Sequence, residues 1–200
     1  MTNVKRQALT ALLMVVIMTV IGGVVYPLMV TGIAQIIFPY QANGSMVIKD
    51  GRVVGSKLIG QNFTSVGYFH GRPSAAGKGY DATLSSGSNL GPTNRILIDE
   101  IKKRADLIRK ENRLPADALV PSDLVTASAS GLDPDISVEA AYLQVPRIAK
   151  VWGISEAVLK RLIDTHIKRR QFGILGEERV NVLELNVALD DLVSRISQNN

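Results

Sequence analysis

Gly71, Gly77, Lys78 and Gly79 come nearest, by type and spacing, to residues that handle phosphate. A phosphate-binding loop keeps four residues between its glycines, a lysine for the phosphates and a Ser or Thr for magnesium. Here five residues separate Gly71 from Gly77, and Gly79 stands where the hydroxyl should be. The match fails on both counts. The two histidines, His70 and His166, lack ligand-spaced partners, so no metal site is expected. His70, in a glycine-rich stretch, is the better functional candidate, whereas His166 falls in a helical pattern between Thr165 and Ile167. The chain has no cysteine and no Gly-x-Ser-x-Gly elbow, which removes disulfides, thiolate catalysis, zinc–thiolate sites and acyl transfer. Lys160, Arg161, Lys168, Arg169 and Arg170 form a basic run. Either it complements the end of a helix or it binds phosphate or anionic lipid.

The elements that must position these residues divide sharply. No Asp, Glu, Lys or Arg occurs between Gln7 and Ile48, and every acidic residue lies beyond. Residues 8–30 are almost wholly apolar, and as a helix they span about 34 Å, enough for a hydrocarbon core of about 30 Å. A cleaved signal peptide would have an apolar region of only about 7–15 residues, so the segment reads as an uncleaved anchor. Lys5 and Arg6 precede it and no basic residue follows until Lys49. The positive-inside rule therefore puts residues 1–7 in the cytoplasm and the rest outside. Thr19, Gly22, Gly23 and Tyr26 recur at helical spacing and form a possible partner-helix face, although glycine is also simply common in such helices.

Residues 31–44 read as a membrane-proximal connector and residues 45–200 as a soluble domain. The formal net charge is +5, and without Lys5 and Arg6 the remainder holds 21 basic and 18 acidic residues. That mild excess does not argue for nucleic acid. Asp50-Gly51 between MVIK and RVVGSKLIG signals a hairpin. Residues 63–94 form a long glycine-rich loop, whose Tyr68, Phe69 and Tyr80 favour order. Residues 93–112 read as an amphipathic helix, with Ile96, Ile98, Ile101, Ala105 and Ile108 inward and Lys102, Lys103, Arg104 and Arg109 solvated. Ser137 caps a helix, Pro146 opens another, and residues 155–170 make a third ahead of Gly173. RVNVLELN alternates like a strand, with Asn186 capping a last helix through Ile196. The fold class expected is a single N-terminal transmembrane helix followed by an α+β soluble domain.

Particular stretches then carry a resemblance. YPLMVTGIAQ, FPYQANGS, NGSMVIKDGRVVGSKLIGQNF, GYFHGRPSA, SSGSNLGPTN, DLVTASASGLDPDIS, AAYLQVPRIA and VNVLELNVALDDL together resemble the C subunit of the Kdp potassium-transporting ATPase over nearly the whole chain. Ala129 and Asp135 depart from the family's pattern, Asp135 standing where relatives usually carry His. The resemblance implies an accessory subunit in a bacterial inner (plasma) membrane. Its partners would be an ATP-hydrolysing subunit and a potassium-selecting, channel-like subunit. It also implies ATP as a ligand, with Gln144 at the proposed nucleotide contact and a role in raising the ATP affinity of the hydrolysing subunit. Flank charges conflict with that, because they put Gln144 outside the cytoplasm, and the topology argument is preferred here. A second function class stays open: an anchored extracytoplasmic module that binds a small ligand in its glycine-rich loop.

Overall fold

The computed structural model describes residues 2–198; Met1 and residues 199–200, at the ends of the expected cytoplasmic segment and soluble domain, lie outside the described residues. The chain forms two compact units, Met1–Met46 and Val47–Asn200.

In the first unit, α1 (Thr2–Val20), a π turn (Ile21–Val25) and α2 (Tyr26–Ile37) make one helical rod. Its Asn3–Ile37 portion is 35 residues and the one helix among the described residues long and apolar enough to cross a membrane. At 1.5 Å per residue that portion is about 52 Å long, so it overruns a bilayer core by about 20 Å. The connector expected over 31–44 is therefore helical as far as Ile37. The rod ends at Phe38 (φ −131°, ψ 53°). Phe38 precedes Pro39, whose ring pushes its neighbour out of the α region. The π turn has a local cause as well. Pro27 has no N–H for the Gly23 carbonyl, and the wider turn lets Tyr26 N–H reach back five residues to Ile21 O. A short helix, α3 (Pro39–Ala42), follows.

The boundary falls at the first residue of β1 (Met46–Lys49), which with β2 (Arg52–Ser56) forms the expected two-stranded sheet. Asp50 and Gly51 take left-handed φ of 50° and 72°, the conformation of the tight turn that Asp-Gly favours. After β2 no helix or strand occurs until α4 (Arg95–Asn112), which Asn94 caps by accepting from Ile96 N–H. Next come β3 (Asp135–Ser137), α5 (Val138–Trp152), α6 (Glu156–His166), β4 (Ile167–Lys168), β5 (Arg179–Asn181) and α7 (Val182–Gln198). The second sheet runs β3-β5-β4, antiparallel throughout, with Ile136 and Ile167 both opposite Val180. Against it α5, α6 and α7 bury Val145, Ile148, Leu159, Ile163, Leu185 and Leu189.

Several expectations are corrected. Pro146 lies inside α5 rather than at the start of a new helix. The strand before α7 is only three residues, and Asn181, not Asn186, caps that helix by accepting from Glu184 N–H at 3.0 Å. The helix expected over 155–170 stops at His166 and passes into β4, so Lys168, Arg169 and Arg170 sit beyond it. On α4, Ile96 is exposed, while Arg104 and Arg109 hold the carbonyls of Val125 and Ala118.

Among the fully buried large apolar side chains of the described residues, Phe69 is the one that no helix or strand supplies. Phe69→Ala should lower the stability of the detergent-solubilised chain by about 3–5 kcal/mol in denaturant unfolding. Leu119→Ala, at a 93% exposed position, should leave it unchanged.

Candidate functional site

The segment 66–72 belongs to no strand, and side chains from two helices take the place of a ladder. Asn186 of α7 accepts from Phe69 N–H and donates back to Phe69 O, both at 2.9 Å. Gln144 of α5 repeats the arrangement one residue on, accepting from His70 N–H at 2.8 Å and donating to His70 O at 3.2 Å. Arg147, one turn along α5, donates to Val66 O and to Tyr68 O (3.0 Å). Trp152 Nε1 reaches Gly67 O at 2.7 Å. The glycine eases that approach, since a Cβ there would stand 3.0 Å from the indole nitrogen and the ring would have to shift by a few tenths of an ångström. Tyr68 Oη donates to Asp190 at 2.7 Å.

Farther along, the glycine-rich loop is tied to the 128–133 stretch. Ser74 Oγ donates to Gly131 O at 2.6 Å, and Ser86 N–H donates to Ser130 O at 3.0 Å. Gly131 has φ +66°, and a Cβ there would meet Ser86 O at 2.5 Å. Arg72 completes the frame by pairing with Asp133 at 2.9 Å. Among the described residues its Nε is the buried side-chain atom left without a hydrogen-bond partner.

Between this loop and α4 lies a cavity of about 270 Å³, lined among others by Thr64, His70, Arg72, Tyr80, Glu111 and Gln144. A larger, shallow depression of about 570 Å³ runs past Leu119, Asp123 and Glu178. His70 Nε2 lies 3.0 Å from Ser65 O, and Nδ1 lies 3.6 Å from Glu111. Burial, and then the Arg147 charge, hold the imidazole below the ordinary histidine value, against the pull of Ser65 O and Glu111. Burial likewise lowers the Arg147 guanidinium, with Glu111 opposing.

The structure thus brings His70 and Gln144 together. It leaves His166 apart, its Nδ1 2.8 Å from Leu162 O, and it leaves Thr19, Gly22, Gly23 and Tyr26 in the other unit. Lys78 and Gly79 lie in turns away from the cavity lining. No group of three metal-ligating side chains occurs among the described residues. Asn186, Arg147, Asn112 and Trp152 were missed from the sequence. The available signal was a polar side chain at an inward helical position, most plainly Asn186 within VLELNVAL.

A family model described as "KdpC: K+-transporting ATPase, c chain" matches residues 8–191. The "Potassium-transporting ATPase KdpC subunit" of Mycobacterium tuberculosis is 57% identical, covering 94% of this chain and 100% of that protein. The proteins so named from Acidobacterium capsulatum (92% of this chain, 97% of its own) and Rhodopseudomonas palustris (92% and 98%) are 55% and 52% identical.

The depressed His70 basicity gives a signed pH dependence. On acidification the unfolded chain takes up this proton before the folded one, so stability falls as pH drops below the ordinary histidine value. Urea unfolding midpoints measured from pH 8 to pH 5 should show that decline. His70→Gln should flatten it, and an unchanged slope would contradict the assignment.

Proposed function

Because the chain belongs to the KdpC family, the c chain of K+-transporting ATPases, we propose that it is a non-catalytic accessory subunit of an ATP-driven potassium importer, needed for assembly. Its partners in this reading are an ATP-hydrolysing subunit and a potassium-selecting, channel-like subunit. The anchor crosses the membrane once, and the soluble domain stands outside the cytoplasm over the outer mouth of the potassium-selecting subunit. The basis for the side is Lys5 and Arg6 before the helix and the uncharged flank up to Ile48.

The observation that carries the docking role is the β1–β2 hairpin. Ile48 and Val53 are 65% and 61% exposed, on a sheet that has two strands among the described residues. Two strands alone are marginal in water, and exposed apolar strand surface suits coverage by another chain. The hairpin's other side is tied down, with Lys49 pairing to Asp190 at 3.2 Å and Asp191 at 3.3 Å. In the anchor, Thr19, Gly22 and Gly23 are proposed to meet a partner helix. A Cβ at Gly22 would meet nothing within 4 Å, and at Gly23 only Thr19 Cγ2 at 4.0 Å. Tyr26, counted with them in α-helical register, follows the π turn and is offset by it.

In this reading Gln144 acts as a clamp. Its carbonyl accepts from His70 and Arg147, and its amide donates to His70 and Ala140, which uses its two donors and both lone pairs. The adjoining cavity, at about 270 Å³, is also below the ~300–1,000 Å³ of ordinary small-molecule sites. Any effect on ATP affinity then passes through docking. A second reading, a small-ligand module, is favoured by the unpartnered Arg72 Nε beside that cavity.

Tagged chain purified from native membranes should bring down both partner subunits. Lys78→Cys, in a chain with no other cysteine, should react in intact cells with a membrane-impermeant thiol reagent. Purification without partners would leave the small-ligand reading. Protection of the cysteine until the membrane is opened would put the domain beside ATP and return Gln144 to a nucleotide role.

A further inference from the structure

The tip of the hairpin between β4 and β5 lies outside the cavity beside His70. It is closed by a pair of backbone bonds, Gln171 N–H to Leu175 O at 2.8 Å and Leu175 N–H to Gln171 O at 2.9 Å. Phe172 and Gly173 take left-handed φ of 54° and 77° to make the turn. This fixed turn carries Phe172, Ile174 and Leu175, which are 89%, 76% and 55% exposed. Next to them in the hairpin stand Lys168, Arg169 and Arg170, with Glu177, Glu178 and Arg179 on the returning side, an excess of two positive charges. Lys168 pairs with Glu184 at 2.6 Å, Arg170 with Glu177 at 2.5 Å, and Arg179 with Asp135 at 2.8 Å. Arg169 is exposed and takes part in none of the ion pairs among the described residues.

We infer that this hairpin tip is a lipid-binding finger, whose Phe172, Ile174 and Leu175 enter the headgroup boundary of the chain's own membrane while Arg169 and Arg170 bind anionic phospholipid headgroups. An apolar tip on a basic base is the pattern of interfacial attachment, where burial of apolar surface adds to attraction for anionic lipid. A protein partner fits less well. One aromatic and two aliphatic side chains bury roughly 300–500 Å², short of the ~800 Å² that each partner contributes to a stable interface. Interface cores are also depleted of charge, whereas here the charges abut the apolar tip.

The test uses the full chain, alone and within its complex, in vesicles of equal phosphatidylglycerol and phosphatidylcholine. Phe172→Cys and Leu119→Cys each carry an environment-sensitive fluorophore, and Leu119 is a 93% exposed control in another loop. Shallow spin-labelled lipid should quench the probe at 172 and spare that at 119. Replacing Arg169 and Arg170 by Gln, or using phosphatidylcholine alone, should lower the lipid-inserted to free ratio read from the quenching by about fivefold per lost charge interaction. Both leaflets have one composition, so the result does not depend on which side the domain occupies. Equal solvation at 172 and 119 would overturn the inference. So would a probe at 172 that is buried only in the complex and beyond reach of lipid quencher, which would assign the finger to a partner subunit.

Discussion

Five consecutive backbone carbonyls, from Val66 to His70, accept hydrogen bonds from side chains rather than from another strand. A buried polar group left unmade costs about 1–3 kcal/mol. The bond to Phe69 O is buried and the other four are part-buried, so losing all five would cost several kcal/mol, a large share of the stability of an ordinary domain. The segment can cross the core only because α5 and α7 present donors at the matching spacing. Gln144 and Arg147, one turn apart on α5, serve three of the carbonyls, while Asn186 on α7 serves the fourth and Trp152 at the end of α5 the fifth. Phe69 then enters the core as if from a strand.

This arrangement places a charge where charge is expensive. Arg147 is 8% exposed and no carboxylate makes an ion pair with it among the described residues. Its donors are spread over Val66 O, Tyr68 O, Gln144 and Asn112. The Asn112 bond also draws the end of α4 against α5, so the loop, α4 and α5 are fastened through one side chain. Removing a partner of such a group costs more than any single bond in it is worth, because the remaining charge stays buried. The frame is therefore rigid where the β1–β2 hairpin and the β4–β5 finger are exposed. That division suits a domain whose surfaces engage others.

What was legible in the sequence follows the range of the physics. The long apolar N-terminal helix, the Asp50-Gly51 turn and the Ser137 cap are each set by a few adjacent residues, and the structure contains all three, although the helix continues to Ile37. Pro146 was misplaced because packing holds α5 together through its missing N–H, a force that local pattern does not carry. Asn186 was read as a cap because its apolar neighbours resemble a strand leading into a helix. Its real partner is the backbone of Phe69, 117 positions earlier. The candidate site was half visible: family resemblance singled out Gln144 and the glycine-rich loop singled out His70. That the two are bonded to each other depends on a contact across 74 positions, which no spacing rule reaches.

The central claim is that side-chain amides hold this segment as a strand would. Residue-resolved amide hydrogen exchange on the full chain tests it most directly. Phe69 and His70 should exchange as slowly as Val145 in the core of α5. Asn186→Ala should release Phe69, and Gln144→Ala should release His70. Exchange at Phe69 and His70 in the unaltered chain as fast as at exposed Lys78 would contradict the account.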